Sequence, residues 1–190
     1  MREYAALIAL ASWLAFLPVM LIQVPVLFGQ TTRRSPQSFA GIIVVAAGFA
    51  LAWPGASRTT PLFALAPRAG AALNSVSAAL GLWAILVLGR QWSIQARLRT
   101  DHQLITTGPY HWVRHPVYTA FLGMLVGTGL VFAPGIWRVA AGVVLYLAGT
   151  ALRIRAEDTL LRERFGPAFD AYARRTPALL PFSFGRSSHP

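Results

Sequence analysis

The stretch VYTAFLGMLVGTGLVFAPGIWRVAAGVVLYLAGTALRI, residues 117–154, contains only two charged side chains, Arg138 and Arg153. Pro134-Gly135 divides it into two apolar runs, 117–132 and 136–154. Each run is close to the ~20 residues that an apolar helix needs to cross a bilayer. A Pro-Gly pair makes a tight turn, so the pattern predicts a hairpin of two membrane helices. Gly123, Gly127 and Gly129 lie in the first of them. They are expected on one side of that helix, where small residues let another helix approach closely. No strand precedes them, so they do not form a nucleotide loop.

Upstream, three more apolar runs occupy residues 4–28, 39–53 and 69–88. The first is too long for a signal peptide and lacks a small-residue cleavage site. Pro18 and Pro25 are expected to kink it. The fold class predicted is all-α: a polytopic integral membrane protein with about five transmembrane helices. The whole chain reads as one membrane-embedded domain, three N-terminal spans over 1–88 and a second half over 89–182.

Composition agrees. Of the 190 residues, 55% are hydrophobic and 12% charged, and mean hydropathy is +0.53. Soluble domains carry about 25% charged residues. Cysteine is absent, which excludes disulfides and thiolate chemistry. All 17 basic residues are arginine, and the net charge is +11. The arginines flank apolar runs instead of forming a stripe on a soluble face. They read as topology signals and contacts to anionic lipid, not as a nucleic-acid surface. With the 89–116 connector and the C-terminal tail placed inside, 13 arginines fall on the cytoplasmic side and four outside. This orientation puts the N-terminus outside. The Ala-, Arg- and Gly-rich, lysine-free composition is compatible with a bacterium of high genomic GC and an inner-membrane location.

The connector at 89–118 is the chemical anomaly. It carries four arginines and three histidines between apolar runs. His115-Pro116 suits a helix start, with Pro at the first position and the preceding residue extended. A helix N-terminus also attracts a carboxylate or phosphate, and Arg114, His115 and Tyr118 would add donors. His102, His111 and His115 do not complete a metal set, because Gly108-Pro109 and Pro116 break the helix that such spacing needs and no carboxylate pattern joins them. Trp92, Tyr110 and Trp112 read as interfacial aromatics. Beyond the fifth span, Arg153 and Glu157 stand four apart, either a surface ion pair or a Glu placed to hold a cationic amine. Arg155, Asp158, Arg162, Glu163 and Arg164 read equally as a solvated face. Residues 156–165 predict a cytoplasmic helix that Gly166-Pro167 ends. Residues 167–175 predict a short amphipathic helix at the membrane surface, with Phe169 and Tyr172 on its apolar face. Residues 178–181 are expected to dock back, and 185–190 to be disordered. The residues by themselves suggest a membrane-embedded pocket, open to the cytoplasm, for a ligand with an anionic end and a cationic centre.

Residues 86–182 resemble the isoprenylcysteine carboxyl methyltransferase family, itself related to phospholipid N-methyltransferases. The resemblance rests on Trp92-Ser93, Gln95, His102-Gln103-Leu104-Ile105, Gly108-Pro109-Tyr110 and Arg114-His115-Pro116-Val117-Tyr118. It continues through Arg153, Glu157, Phe165-Gly166, Tyr172, Thr176-Pro177 and Leu180-Pro181. The chain departs from the family at Ala120, where Gly is frequent, and in Leu152 and Ile154 beside Arg153. The resemblance implies an S-adenosylmethionine-dependent methyltransferase. Cofactor contacts are then expected from Gln95, His102, Leu104, Ile105, Tyr110, His115, Tyr118 and Glu157. Arg153 would face the methyl acceptor, with Glu157 also in the catalytic group. No metal is implied. The acceptor would be lipophilic, with a carboxylate of an isoprenylcysteine-like molecule first and a lipid amine or small thiol as alternatives. Sterol reductases that use NADPH have a similar C-terminal helix and tail, which keeps a membrane oxidoreductase as a second class. A non-catalytic membrane protein that retains the pocket is the third.

Overall fold

The structure, a computed structural model, describes residues 2–22, 31–34, 36–53, 65–91, 97–99, 103–132 and 135–181. Five long helices dominate: α1 (Arg2–Ile22), α2 (Pro36–Ala52), α3 (Ala66–Leu88), α4 (Pro116–Phe132) and α5 (Ile136–Phe165). A short α6 (Pro167–Arg175) follows. Two strands, β1 (Thr31–Arg34) and β2 (Arg97–Arg99), pair antiparallel in a small ribbon that the sequence did not suggest. Single turns of 3-10 helix occupy Gly89–Gln91 and Gly108–His111.

Three of these helices, α1, α3 and α5, are long and apolar enough to cross a membrane; α2 and α4 are apolar and shorter. Leu7, Leu14, Ile43, Val76, Leu86 and Val144 are exposed on the outside of the bundle. Polar groups point inward instead. Trp13 Nε1 donates to Thr128 Oγ1 at 3.0 Å, and Asn74 Nδ2 donates to the same oxygen at 3.2 Å. An apolar exterior around a partly polar interior is what a lipid solvent requires. The protein is therefore an integral membrane protein. Helix α1 runs through Pro18, and Pro25 lies outside the described residues.

Two glycine-mediated pairs build the bundle. In the first, α2 runs antiparallel to α5: a Cβ on Gly48 would lie 2.7 Å from the Gly142 carbonyl oxygen, and one on Gly149 2.8 Å from that of Gly41. In the second, α3 packs on α4: a Cβ on Gly127 would lie 2.7 Å from the Gly70 carbonyl oxygen. Gly123 also faces α3, at Ser77, whereas Gly129 faces Val139 on α5. The three glycines of α4 thus serve two partners and do not share one side. Ala120, fully buried, lies opposite Gly81 of α3. An aromatic seam joins the two pairs. Phe121 of α4 meets Phe16 of α1 at 5.1 Å and Phe49 of α2 at 5.9 Å, and Phe49 meets Tyr146 of α5 at 5.8 Å. Edge-to-face aromatic pairs at such distances add to their simple burial.

Helix α5 is continuous over 30 residues, with no break between the predicted span and the helix after it. At 1.5 Å per residue it is about 45 Å long, beyond the ~30 Å hydrocarbon layer. Its last turns stand clear of the span and carry Glu157 and Asp158. Gly166, at φ +50°, ends it and starts α6. The apolar face of α6 does not lie on lipid: Phe169 and Tyr172 are buried in the protein.

A valine at Gly127 should separate α3 from α4, since its side chain has no space beneath Gly70 and Asn74. We expect Gly127→Val to cost about 1–3 kcal/mol in thermal unfolding in detergent. Val144→Ala on the exposed face should leave stability within about 0.5 kcal/mol.

Candidate active site

Pro116 opens α4 and keeps His115 outside the helix. Arg114 and His115 therefore sit at its entrance, facing the last turns of α5. There Glu157 and Asp158 follow each other, so two consecutive cationic side chains meet two consecutive carboxylates. Arg114 Nη2 donates to Asp158 Oδ2 at 2.9 Å. His115 Nε2 lies 2.9 Å from Asp158 Oδ1, and Nδ1 lies 3.3 Å from Glu157 Oε2. Tyr118, one turn into α4, donates to Glu157 Oε1 and accepts from Arg153 Nε at 2.8 Å. Arg153 also lies 3.6 Å from Glu157 Oε1, with its guanidinium carbon 5.1 Å from the Tyr118 ring centre. One step deeper, the Tyr146 hydroxyl donates to the Tyr118 carbonyl at 2.7 Å.

The result is one connected chain, Arg114–Asp158–His115–Glu157–Tyr118–Arg153. Most of it is buried, and Glu157 is the most open carboxylate, with 23% of its side chain exposed. Burial pulls the His115 pKa down, but hydrogen bonds to Asp158 and Glu157 outweigh it and hold the ring above the ordinary 6.5. An ionised carboxylate only accepts hydrogen bonds, so a ring with a carboxylate at each nitrogen is satisfied as imidazolium.

The C-terminal tail closes over the same place. Arg114 Nη1 donates to the carbonyls of Ala173 and Thr176, at the end of α6. The backbone N–H of Arg114 donates to Pro177 at 2.8 Å and that of His115 to Ala178 at 3.0 Å. Thr119 Oγ1 donates to the Leu179 carbonyl. The backbone N–H groups of Arg114 and His115, just ahead of α4, are thus taken by the tail. The Tyr172 hydroxyl donates to the Tyr110 carbonyl at 2.6 Å. Burial pushes the Tyr110 phenol well above its usual value and Tyr172 up to about 12, so both remain neutral donors.

Of the residues predicted from sequence, His115, Tyr118, Arg153 and Glu157 come together. Tyr110 stands beside them but points its hydroxyl at the Ala84 carbonyl of α3, at 3.4 Å. Ile105 packs on the cluster around Trp13, Phe16 and Ile85, and Leu104 precedes it, half-buried. Gln95 and His102 lie outside the described residues, as do Trp92 and 185–190. His111 is exposed and apart. Among the described residues no group of three or more His, Cys, Asp or Glu side chains is placed to hold a metal ion. Asp158, which in sequence fits a solvated face equally well, ties down both Arg114 and His115. Its signal was the match of two adjacent acids to two adjacent bases.

His115 adds stability that is fully present below the unfolded imidazole value near 6.5 and is lost as pH rises through its raised folded value. Thermal unfolding followed from roughly pH 6 to 9 should show this decline, and His115→Gln should flatten it. An equal decline in His115→Gln would place the titration elsewhere.

Residues 71–163 match the profile of the "Isoprenylcysteine carboxyl methyltransferase (ICMT) family". The chain is 37% identical over 101 residues to "Protein-S-isoprenylcysteine O-methyltransferase B" of Arabidopsis thaliana, covering 52% of this chain and 51% of that one. It is 39% identical over 98 residues to "Nickel-cobalt-cadmium resistance protein NccN" of Alcaligenes xylosoxydans xylosoxydans, covering 50% and 44%. It is 35% identical over 101 residues to "Probable protein-S-isoprenylcysteine O-methyltransferase" of Oryza sativa subsp. indica, covering 52% of each. The chain spans about half the length of the curated relatives it matches. The matched residues 71–163 hold all of α4, nearly all of α5 and the whole charged chain between them, and over that segment the protein is similar to the isoprenylcysteine carboxyl methyltransferase family.

Proposed function

We propose that the protein is an S-adenosylmethionine-dependent methyltransferase acting on a lipophilic acceptor, with a carboxylate of an isoprenylcysteine-like or other lipid-like molecule as the methyl-accepting group. The observation that carries this reading is the buried Arg114–Asp158–His115–Glu157–Tyr118–Arg153 chain at the end of a membrane bundle, inside the family-matched segment. The names of the relatives from Arabidopsis and rice support the reaction class.

The residues present fit the cofactor. S-adenosylmethionine is a zwitterion with an additional cationic sulfonium, so it needs both signs of charge close together. The partly open carboxylate of Glu157 suits its ammonium. Arg114 Nε, buried and without a hydrogen-bond partner among the described residues, is a donor suited to its carboxylate. Leu104, Ile105 and Tyr110 would supply apolar and aromatic contacts to the cofactor, and Gln95 and His102 belong to the same expected set. When bound, the cofactor supplies an already activated methyl group. The task left to this chain is alignment, which makes a bound pair react as though highly concentrated.

The role of Arg153 follows. It is a buried cation one turn from Glu157, held by the Tyr118 hydroxyl. A guanidinium orients a carboxylate by two parallel hydrogen bonds. A carboxylate acceptor carries its own nucleophilic lone pair, so no general base is required. His115, held as imidazolium between two carboxylates, serves to fix Glu157 and not to take a proton. A lipid-anchored acceptor reaches this site laterally from the bilayer, while the soluble cofactor comes from the water side. The arginine asymmetry supports the cytoplasm as that side, and the lysine-free, Ala-, Arg- and Gly-rich composition supports a bacterial inner membrane as the location.

Calorimetry on the purified protein in detergent tests the reading. S-adenosylmethionine should bind and NADPH should not. Glu157→Gln should weaken that binding by about tenfold or more, which is about 1.4 kcal/mol or more. Arg153→Lys should lower kcat/KM for a farnesylated N-acetylcysteine by about tenfold or more and change cofactor affinity by less than about twofold. NADPH binding without S-adenosylmethionine binding would overturn the assignment.

A further inference from the structure

Helix α2 lies outside the segment that matches the family, yet it touches the site at Gly41. A Cβ on Gly41 would lie 2.6 Å from Arg153 Cγ and 2.7 Å from the Gly149 carbonyl oxygen. Real Cβ atoms do not come so close to other heavy atoms. The aliphatic stem of Arg153 therefore crosses the bare backbone of α2 where a side chain is missing. Beyond that crossing, Nε reaches the Tyr118 hydroxyl at 2.8 Å and the guanidinium approaches Glu157 at 3.6 Å.

Gly48, seven residues on, provides the comparison. A Cβ there would meet the Gly142 carbonyl oxygen at 2.7 Å, the Tyr146 nitrogen at 2.9 Å and Leu145 Cβ at 3.4 Å. The three nearest atoms there are backbone and aliphatic atoms of the neighbouring helix. For Gly149, on the α5 side, the three nearest atoms belong to Gly41 and Val45 of α2. Gly41 therefore differs from its packing partners in what its empty position admits.

We propose that Gly41 is a positioning residue for Arg153. Its missing side chain lets the arginine stem lie flat against α2, and this sets how far the guanidinium extends toward Tyr118 and Glu157. A displacement at Cγ is magnified at the guanidinium, which is further out on the same lever. The size of residue 41 thus tunes how the acceptor is held. This last step rests on the reading of Arg153 as the acceptor-facing group. The part of the chain that precedes the family match contributes to the site through this contact.

The test uses the full-length protein in detergent, labelled with 15N-arginine. The Arg153 Nε–H resonance is identified by its loss in Arg153→Lys. It should shift in Gly41→Ala and stay in place in Gly48→Ala. With a farnesylated N-acetylcysteine as acceptor, Gly41→Ala should raise KM by about fivefold or more, leaving S-adenosylmethionine affinity within about twofold. An unmoved resonance in Gly41→Ala, or equal movement in both variants, overturns the proposal. A moved resonance with unchanged KM upholds the positioning and overturns instead the assignment of Arg153 to the acceptor. If Gly41→Ala alone fails to fold, the double variant Gly41→Ala/Arg153→Ala decides. Recovery of folding supports the contact with the arginine stem, and continued failure overturns it in favour of backbone packing against Gly149.

Discussion

Two adjacent bases at the entrance of α4 face two adjacent acids on α5, and the C-terminal half of the structure depends on that meeting. Charges removed from water cost several kcal/mol each unless they are paired and hydrogen-bonded. His115 meets a carboxylate at each ring nitrogen, and Arg114 meets Asp158 with one edge and the end of α6 with the other. For this to happen α5 must continue as one helix beyond the thickness of a bilayer. Its 30 residues meet that need. The tail at 176–179 is then held by the same residues, through the backbone of Arg114 and His115 and the hydroxyl of Thr119. Removing one carboxylate would strand a buried cation and release the tail's anchor with it.

The bundle provides the frame that makes this meeting reproducible. Glycines bring α2 onto α5 and α3 onto α4 at backbone contact, and interdigitated aromatic rings join the two pairs. In lipid there is little hydrophobic gain from helix association, so close packing and internal hydrogen bonds carry the specificity. Tyr146 expresses both. It is fully buried, packs on Phe49 and donates to the backbone of Tyr118, so the packing seam reaches the site directly.

Much of this was legible in the sequence. Apolar run lengths and the Pro134-Gly135 turn disclosed the helices within a few residues. The Arg153–Glu157 spacing and the His115-Pro116-Val117-Tyr118 motif disclosed four residues of the charged chain. What remained hidden has a common physical origin: partners far apart in sequence leave no periodic trace. Asp158 lies about 100° around the helix from Glu157, which from sequence alone reads as a turn toward solvent; Arg114 makes it a buried partner. The glycines of α4 signal a close approach without saying to which helix, and Gly129 indeed faces a different one from Gly123. Phe169 and Tyr172 mark an apolar face on α6 that suits lipid or protein equally well. The tail's hydrogen bonds to Arg114 and His115 select protein. The ribbon of β1 and β2 is too short for either strand to display an alternating pattern.

We propose that the charged chain between α4 and α5 is the cofactor site. A crystal structure with S-adenosylhomocysteine is the most direct test. Density for the ligand is expected beside the entrance of α4, with its amino group within hydrogen-bonding distance of Glu157. Ligand density in another part of the bundle, with Arg114, His115 and Glu157 paired only to one another as they are here, would contradict it.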